Sequence, residues 1–294
     1  MIPVAPLRLA LGLAAIVAFA PFAPFARIAR VARDARVAQD PARDGPNPVG
    51  RRKVKVADDA PGATLDAAIY YPATKNQEDA EPAANGPWPV CVFSPGGSAE
   101  EWQGYDDFAN RFASWGMAML VVAFGDRTAV KRATQFDAAR SWLEKQNGDK
   151  ESFLFGKLDG KRFVSAGHSR GGAAAVYAAV DAKRWAGCVT DGAALRALPP
   201  KYATPTLLIG SPDDKSLPAL YDGLKKPRGL VVVAGMDHYM TPQDKRDVVV
   251  AYAAAWIGER FLGIKEWKAW TSGERAKKDL KDGVLADWRV EESP

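Results

Sequence analysis

Strand-like and helix-like segments alternate regularly along this chain and limit it to few architectures. From residue 53 onward, apolar runs such as PWPVCVFSP and KRFVSAGH alternate with segments whose apolar residues recur every three or four positions. The segment EEWQGYDDFANRFASWG is helical by this criterion and ends at a glycine. Apolar strands separated by helices are typical of a parallel sheet. We therefore predict an α/β fold with a mostly parallel central sheet and helices on both faces.

The N-terminal residues fall outside this alternation. Residues 1–26 contain one arginine, Arg8, then an uncharged apolar run that includes the small-residue sequence AFA at positions 18–20. This pattern predicts a secretory signal peptide, and an uncleaved membrane anchor is the alternative. We therefore expect a secreted or periplasmic protein, or else one anchored to a membrane by this segment.

The positive charge of the chain is concentrated outside its predicted folded part. Residues 27–36 supply three of the five net positive charges, so the rest of the chain is close to neutral. A nucleic-acid-binding protein would need basic residues clustered on a folded face, and the sequence indicates none. We expect residues 27–50 to be a linker, residues 51–263 the α/β domain and residues 264–294 a charged helical extension.

Cysteine and histidine are too scarce for a typical metal centre. The two cysteines, Cys91 and Cys188, both lie in apolar, strand-like runs, which favours buried single thiols over a disulfide. They have no metal-ligand spacing, and two histidines exclude a histidine-rich site. We therefore predict no metal centre.

The segment GHSRG at residues 167–171 follows a predicted strand and precedes a predicted helix. It fits the pattern G-x-S-x-G, in which glycines permit a sharp turn that exposes the serine oxygen at a helix N-terminus. Ser169 is therefore the candidate nucleophile, although a glycine-rich packing turn would give the same short pattern. A neutral serine needs a base within hydrogen-bonding reach. His168 occupies the variable position and should point elsewhere, which leaves His238.

His238 lies in VVVAGMDHYM, after the last predicted strand of the domain. The base of a serine–acid–histidine order is expected there, whereas a surface-loop histidine is the alternative. The third member should be a carboxylate that holds the tautomer of the imidazole. Asp214 in LLIGSPDDKSLP is the preferred acid, because it follows a strand and stands four residues before Pro218.

Three other aspartates could be considered for the acid. Asp213 adjoins Asp214 and is interpreted as a loop-capping residue, but it stays an alternative. Asp191 ends another predicted strand and is a weaker alternative. Asp237 is too close in sequence to His238 to orient it well.

Acyl transfer also needs hydrogen-bond donors for a developing oxyanion. One candidate is the backbone N–H of Arg170, which follows the nucleophile. The other is the backbone N–H of Gly97, in the glycine-containing loop after VCVFSP, although a plain turn at Gly96 and Gly97 is the alternative. Ser98 would then border the substrate.

The segments PVCVFSPGGSAEEWQGYDDFANRFASWGMAMLVVAF, GHSRGG, SPDD and MDH together resemble the α/β-hydrolase superfamily. More narrowly, they are similar to the branch that holds chlorophyllases, cutinase-like polyester hydrolases and dienelactone hydrolases. The resemblance covers about residues 46–262. It implies an α/β-hydrolase fold and a cofactor-free ester hydrolase that forms an acyl-serine intermediate. It gives little information on the substrate.

Three positions depart from the polyester hydrolases that the chain resembles. Those enzymes have an aromatic residue where Gly97 stands, a methionine at Arg170 and a tryptophan near Gly192, so an aromatic clamp is in doubt here. Gly192 would instead border the substrate. The segment between GCVTDG and TPTLLIG is short, so we expect an open cleft without a large lid.

These residues predict a serine carboxylic-ester hydrolase that acts on a small or polymeric ester. A peptidase or acyltransferase with the same triad is one alternative. A non-catalytic binding protein on the same fold is the other. The oligomeric state cannot be read from the sequence.

Overall fold

The centre of the protein is a mixed sheet that has ten strands among the residues described. The computed structural model describes residues 40–58, 62–97, 103–125 and 127–293. The predicted signal peptide or anchor, the first part of the predicted linker and Ser98 lie outside them. No helix in the described ranges is both long and apolar enough to cross a membrane.

The strands follow the chain as β1 (Val49–Ala57), β2 (Thr64–Pro72), β3 (Gln77–Glu78), β4 (Trp88–Ser94), β5 (Ala118–Val122), β6 (Leu158–His168), β7 (Gly187–Asp191), β8 (Thr206–Gly210), β9 (Arg228–Val233) and β10 (Leu285–Glu291). Their order across the sheet is β10-β9-β8-β7-β6-β4-β5-β2-β1-β3. From β5 to β9, neighbouring strands pair in parallel. Strands β2 and β10 are each antiparallel to the neighbour that joins them to this block. The predicted mostly parallel central sheet is confirmed.

The α-helices are α1 (Asp106–Ser114), α2 (Ala129–Gly148), α3 (Arg170–Ala178), α4 (Leu217–Gly223), α5 (Gln243–Ile257), α6 (Lys268–Thr271) and α7 (Glu274–Lys281). One face of the sheet packs against α2, α3 and α4. The opposite face packs against α1, α5 and the C-terminal helices. Successive residues of β4 illustrate the division, because Val90 and Val92 join the first core and Cys91 and Phe93 the second. Every residue of β4 is buried, as expected of a strand covered on both faces.

The parallel block aligns the strand ends that carry the candidate site residues. Gly167 near the end of β6 pairs with Ser94 at the end of β4. On the other side of β6, His168 pairs with Asp191 at the end of β7. Carboxyl ends of parallel strands meet at one edge of a sheet, where ligands usually bind. The loops after β4, β6, β7, β8 and β9 therefore meet at that edge.

Both cysteines are buried free thiols. Burial raises the pKa of both Cys91 and Cys188, so each thiol stays protonated at neutral pH.

The two predicted ends of the domain are shifted in the structure. Residues 40–48, expected to belong to a linker, pack against α1. The Nε1–H of Trp115 donates to the carbonyl of Arg43 at 2.9 Å, and Gly45 N–H donates to Ser114 Oγ at 2.7 Å. At the other end, the segment expected to be helical contains α6 and α7 but ends in strand β10. The folded part thus extends beyond both predicted limits.

Gly45 gives a test of this N-terminal packing. A β-carbon at Gly45 would lie 2.3 Å from the carbonyl oxygen of Ser114. We therefore expect Gly45→Ala to destabilise the fold by about 1–3 kcal/mol through overpacking. In a thermal melt, each kcal/mol lowers Tm by about 2–4 °C for a protein of this size.

Gly148→Ala is the matched control, because a β-carbon there would have no neighbour within 4 Å and Gly148 ends α2. Its Tm should stay equal or rise slightly. If Gly45→Ala melts at the wild-type temperature, residues 40–48 do not contribute to the stability of the fold.

Candidate active site

Ser169 occupies a strained turn between β6 and α3. Its backbone has φ 54° and ψ −118°, and a positive φ is unfavourable for a residue that has a β-carbon. The glycines on either side permit the turn to pack closely. A β-carbon at Gly171 would lie 2.0 Å from the carbonyl oxygen of Ser94, and one at Gly167 would lie 2.5 Å from the carbonyl oxygen of Gly171. The G-x-S-x-G pattern is therefore required here by contact with the end of β4.

The structure brings Ser169, His238 and Asp214 together. His238 Nε2 lies 2.9 Å from Ser169 Oγ, which is a hydrogen-bonding distance. His238 Nδ1 lies 3.5 Å from Asp214 Oδ1. That second distance is long for a hydrogen bond, and such pairs commonly tighten only when substrate binds. The arrangement allows the imidazole to accept the serine proton while the carboxylate orients the ring.

The loop after β8 holds the Asp214 carboxylate in place. Asp214 Oδ2 accepts from the backbone N–H of Ser211 at 2.9 Å and lies 3.4 Å from the Ser211 hydroxyl. Gly210 makes room for it, because a β-carbon there would lie 2.6 Å from Oδ2. The alternative acid Asp213 is exposed, and its N–H donates to Ser211 Oγ at 3.3 Å. The geometry therefore favours Asp214 over Asp213 as the partner of His238.

Asp237 stabilises the loop that carries His238 rather than the imidazole itself. Its Oδ1 accepts from the backbone N–H groups of Tyr239 at 2.9 Å and Thr241 at 2.8 Å, and its Oδ2 accepts from the Thr241 hydroxyl. The side-chain hydrogen bond from Thr241, followed by the backbone bonds, lowers the pKa of Asp237. The carboxylate thus caps the turn just after β9.

The loop after β4 places Gly97 with a backbone N–H that has no acceptor among the described residues, and with φ 56°. The neighbouring Gly96 N–H is already used, because it donates to the Tyr105 hydroxyl at 3.0 Å. A buried arginine, Arg132 of α2, donates to the carbonyls of Pro95 at 2.9 Å and of Gly97. Arg132 therefore holds the carbonyls of Pro95 and Gly97, and the Gly97 N–H, which has no acceptor among the described residues, is the donor predicted for the oxyanion.

Arg170, the other predicted oxyanion donor, is the first residue of α3. Backbone N–H groups in the first turn of a helix point out of its own hydrogen-bonding ladder and can serve partners outside it. The predicted substrate contact Gly192 is buried, and a β-carbon there would lie 3.1 Å from His238 Nδ1. Gly192 therefore makes room for the imidazole.

His168 points away from the nucleophile and is buried beneath it. His168 Nε2 lies 2.7 Å from the carbonyl oxygen of His238, and Nδ1 lies 2.8 Å from the Tyr105 hydroxyl. Burial lowers the pKa of His168 to about 4, so the ring is neutral at neutral pH. Both ring nitrogens are thus engaged, and His168 is not available as the base.

Three residues at this site escape sequence reasoning. Tyr105, directly before α1, and Arg132 in α2 contact the loop after β4, and no local pattern signals those contacts. Tyr239 lies beside His238 with its ring 5.6 Å from the imidazole, and it is 73% exposed. Its position directly after the candidate base was a signal that could have identified it.

Asp191, the other alternative acid, faces away from His238. Its carboxyl is buried between the sheet and helices α1 and α5, and neither oxygen has a hydrogen-bond partner among the described residues. It borders a cavity of about 10 Å³ whose other lining residues include Phe93, Phe108 and Ile209. Burial, followed by the negative charge of Asp214, raises the pKa of Asp191 well above its ordinary value. Burial therefore favours the protonated form of this carboxyl, and the carboxyl has no hydrogen bond to the imidazole.

The comparison with protein families agrees with this architecture. The model of the PETase family, described as PET hydrolase-like, matches residues 34–268. None of the individually curated proteins compared with the chain matches it. The family match therefore covers the sheet from β1 to β9 together with every candidate site residue, but not α7 and β10.

The unpartnered Asp191 carboxyl predicts a pH-dependent stability. A carboxyl has a pKa of about 3.9 in an unfolded chain, and the folded state binds its proton more tightly. Stability is therefore lost as pH rises from that value towards the folded-state pKa. Asp191→Asn removes this titration, so its Tm should rise relative to wild type between pH 4 and pH 8. Each kcal/mol of the gain corresponds to about 2–4 °C.

The exposed variant Asp213→Asn serves as the control and should melt like wild type at both pH values. A difference between Asp191→Asn and wild type that is the same at pH 4 and pH 8 would contradict a buried neutral acid.

Proposed function

This chain belongs to the PET hydrolase-like family of α/β-hydrolases, and we propose that it is a serine ester hydrolase that acts through an acyl-enzyme on Ser169. The observation that carries the proposal is the 2.9 Å contact between His238 Nε2 and Ser169 Oγ. His168, the other imidazole of the chain, has both nitrogens engaged elsewhere. His238 is therefore the base that the proposal assigns to Ser169.

In the acylation half, Ser169 Oγ attacks the ester carbonyl carbon while His238 Nε2 takes the hydroxyl proton. A tetrahedral intermediate forms, and its oxyanion accepts hydrogen bonds from the N–H groups of Gly97 and Arg170. Asp214 stabilises the imidazolium that results. When the intermediate collapses, the bond to the alcohol oxygen breaks, and His238 returns the proton to the departing alcohol.

In the deacylation half, a water molecule replaces the alcohol. His238 takes a proton from the water as its oxygen attacks the acyl carbon, and the same two N–H groups hold the second oxyanion. Collapse breaks the bond to Ser169 Oγ, and the serine recovers its proton from His238. The products are a carboxylic acid, an alcohol and the free enzyme.

The substrate class in this proposal is a small or polymeric ester that enters from the open sheet edge. The chain between β7 and β8 is only residues 192–205, which is too short for a lid domain. Tyr239 offers an exposed ring beside His238, and a flat acyl or alcohol group can stack on such a ring. We also propose that residues 1–26 direct export of the protein.

The triad is tested with p-nitrophenyl butyrate. Ser169→Ala and His238→Ala should each lower kcat about 10,000-fold or more, because each removes a group that takes part in bond formation or proton transfer. Asp214→Asn should lower kcat by a smaller but still large factor. Release of p-nitrophenol reports the rate, and quantifying the acid and the alcohol separates hydrolysis from acyl transfer to another acceptor.

The adjoining exposed residue supplies the matched control, since Asp213→Asn should keep wild-type kcat. Wild-type protein that hydrolyses no ester, or triad variants that remain as active as Asp213→Asn, would refute the proposed function.

A second test concerns the exposed ring of Tyr239. Aromatic contacts contribute about 0.5–1.5 kcal/mol, so Tyr239→Ala should raise KM for a p-nitrophenyl benzoate severalfold and change kcat little. For p-nitrophenyl acetate, whose acyl group is compact, the same variant should show a smaller change in KM. Tyr239→Phe keeps the ring and should behave like wild type. If Ala and Phe variants give equal KM values for the benzoate, the ring does not contact substrate.

A further inference from the structure

A series of hydrogen bonds beneath Ser169, here called the relay, connects two loops whose relative position matters for the proposed reaction. The oxyanion loop comprises residues 95–97 after β4, and the base loop comprises residues 234–242 after β9. His168 lies between them at the end of β6 and is 6% exposed. Its ring contacts the base loop through one nitrogen and reaches the oxyanion loop through Tyr105 by the other.

The donors and acceptors in the relay fix the direction of each of its hydrogen bonds. A carbonyl oxygen only accepts, so His168 Nε2 carries the hydrogen that is donated to the carbonyl of His238 at 2.7 Å. In the neutral ring, Nδ1 then accepts from the Tyr105 hydroxyl at 2.8 Å. The Tyr105 oxygen in turn accepts from the backbone N–H of Gly96 at 3.0 Å. Every polar atom of the relay is satisfied in this one arrangement.

Each end of the relay adjoins a group that the proposed mechanism uses. Gly96 precedes Gly97, whose N–H is the proposed oxyanion donor. The carbonyl at the other end belongs to His238, the proposed base. A β-carbon at Gly96 would lie 2.7 Å from His168 Nδ1, so the oxyanion loop rests directly on this ring. A shift of the imidazole would therefore displace the donor, the base or both.

Burial is the main cause of the lowered pKa of His168, and the nearby charges have opposing effects, because Arg246 lowers this pKa and Asp214 raises it. Arg246 of α5 lies over the Tyr105 ring, with 5.3 Å from its guanidinium carbon to the ring centroid. It pairs with Asp107 of α1 at 2.5 Å. His238 lies on the base-loop side, with its ring centroid 5.3 Å from that of His168. On the sheet side, the neighbouring strand β7 presents Asp191, whose pKa is raised by burial.

We propose that His168 is a positioning residue that aligns the oxyanion loop with the base loop through its two ring nitrogens. The proposal rests on the proposed function, because the alignment matters only if Ser169 is acylated. His168 touches no reacting atom in this role. It acts through the backbone of Gly96 and of His238.

Two amide side chains each replace one half of the imidazole. The terminal atoms of asparagine lie near the position of Nδ1, so His168→Asn can accept from Tyr105 but cannot reach the His238 carbonyl. A glutamine reaches as far as Nε2, so His168→Gln can donate to that carbonyl but cannot replace Nδ1. Tyr105→Phe removes the middle of the relay and leaves Gly96 N–H without its acceptor.

The experiment measures kcat and KM for p-nitrophenyl butyrate per active site, with sites counted by a fluorophosphonate that labels Ser169. We expect each variant to lower kcat about 10–100-fold with KM changed by less than threefold. The affinity for a butylboronic acid, whose serine adduct places an oxygen in the oxyanion site, should fall by a similar factor. The double variant His168→Asn/Tyr105→Phe should lose much less than the product of the two single losses.

Ser165→Ala is the matched control for a lost buried hydrogen bond in β6, where the Ser165 hydroxyl donates to the carbonyl of Ala175 at 3.0 Å. It should lower Tm but keep kcat per labelled site. The proposal is overturned if the His168 and Tyr105 variants keep wild-type kcat per site, or if they lose only labelled sites as Tm falls. A wild type that neither hydrolyses the ester nor reacts with the fluorophosphonate would refute the proposed function itself.

Discussion

The close contact between the turn at Ser169 and the end of β4 is the constraint on which the rest of the site depends. Gly171 approaches the carbonyl of Ser94 so closely that no side chain fits between them. This contact keeps the first turn of α3 against the oxyanion loop, next to the positive φ of Ser169. Strand β6, which leads into this turn, is hydrogen-bonded to a parallel neighbour on each side, and a strained residue persists only where the surrounding structure holds it.

Beneath that turn lies a polar layer in which burial controls ionisation. His168 and Asp191 are paired across adjacent strands and face the same side of the sheet. Burial favours the neutral form of both, lowering the pKa of the imidazole and raising that of the carboxyl. The cation of Arg246 is balanced instead by Asp107 at the helix surface. The layer therefore supplies directional hydrogen bonds to the site without adding a net charge beneath it.

The sequence could predict the order of elements and the candidate triad because both follow from local signals. Each of Ser169, Asp214 and His238 comes just after a strand, and a parallel sheet brings such positions to one edge. The contacts of Tyr105 and Arg132 could not be predicted, because they join residues that are distant in sequence and depend on helix placement. Strand β10 was missed because its charged residues were interpreted as an exposed helix. The sequence indicates that Asp191 ends a strand, but it does not indicate towards which face of the sheet the Asp191 side chain points.

The position of β10 outside β9 has a consequence for the strand that leads to His238. Strand β10 pairs along β9 from Leu285 to Glu291, so both sides of β9 are hydrogen-bonded. The outer edge of the sheet is then β10, whose charged residues alternate along the strand. The family match ends at residue 268, before β10. Asp287, Arg289 and Glu291 make that outer edge a poor template for another chain. Strand β10 thus disfavours pairing between molecules at the β9 side of the sheet.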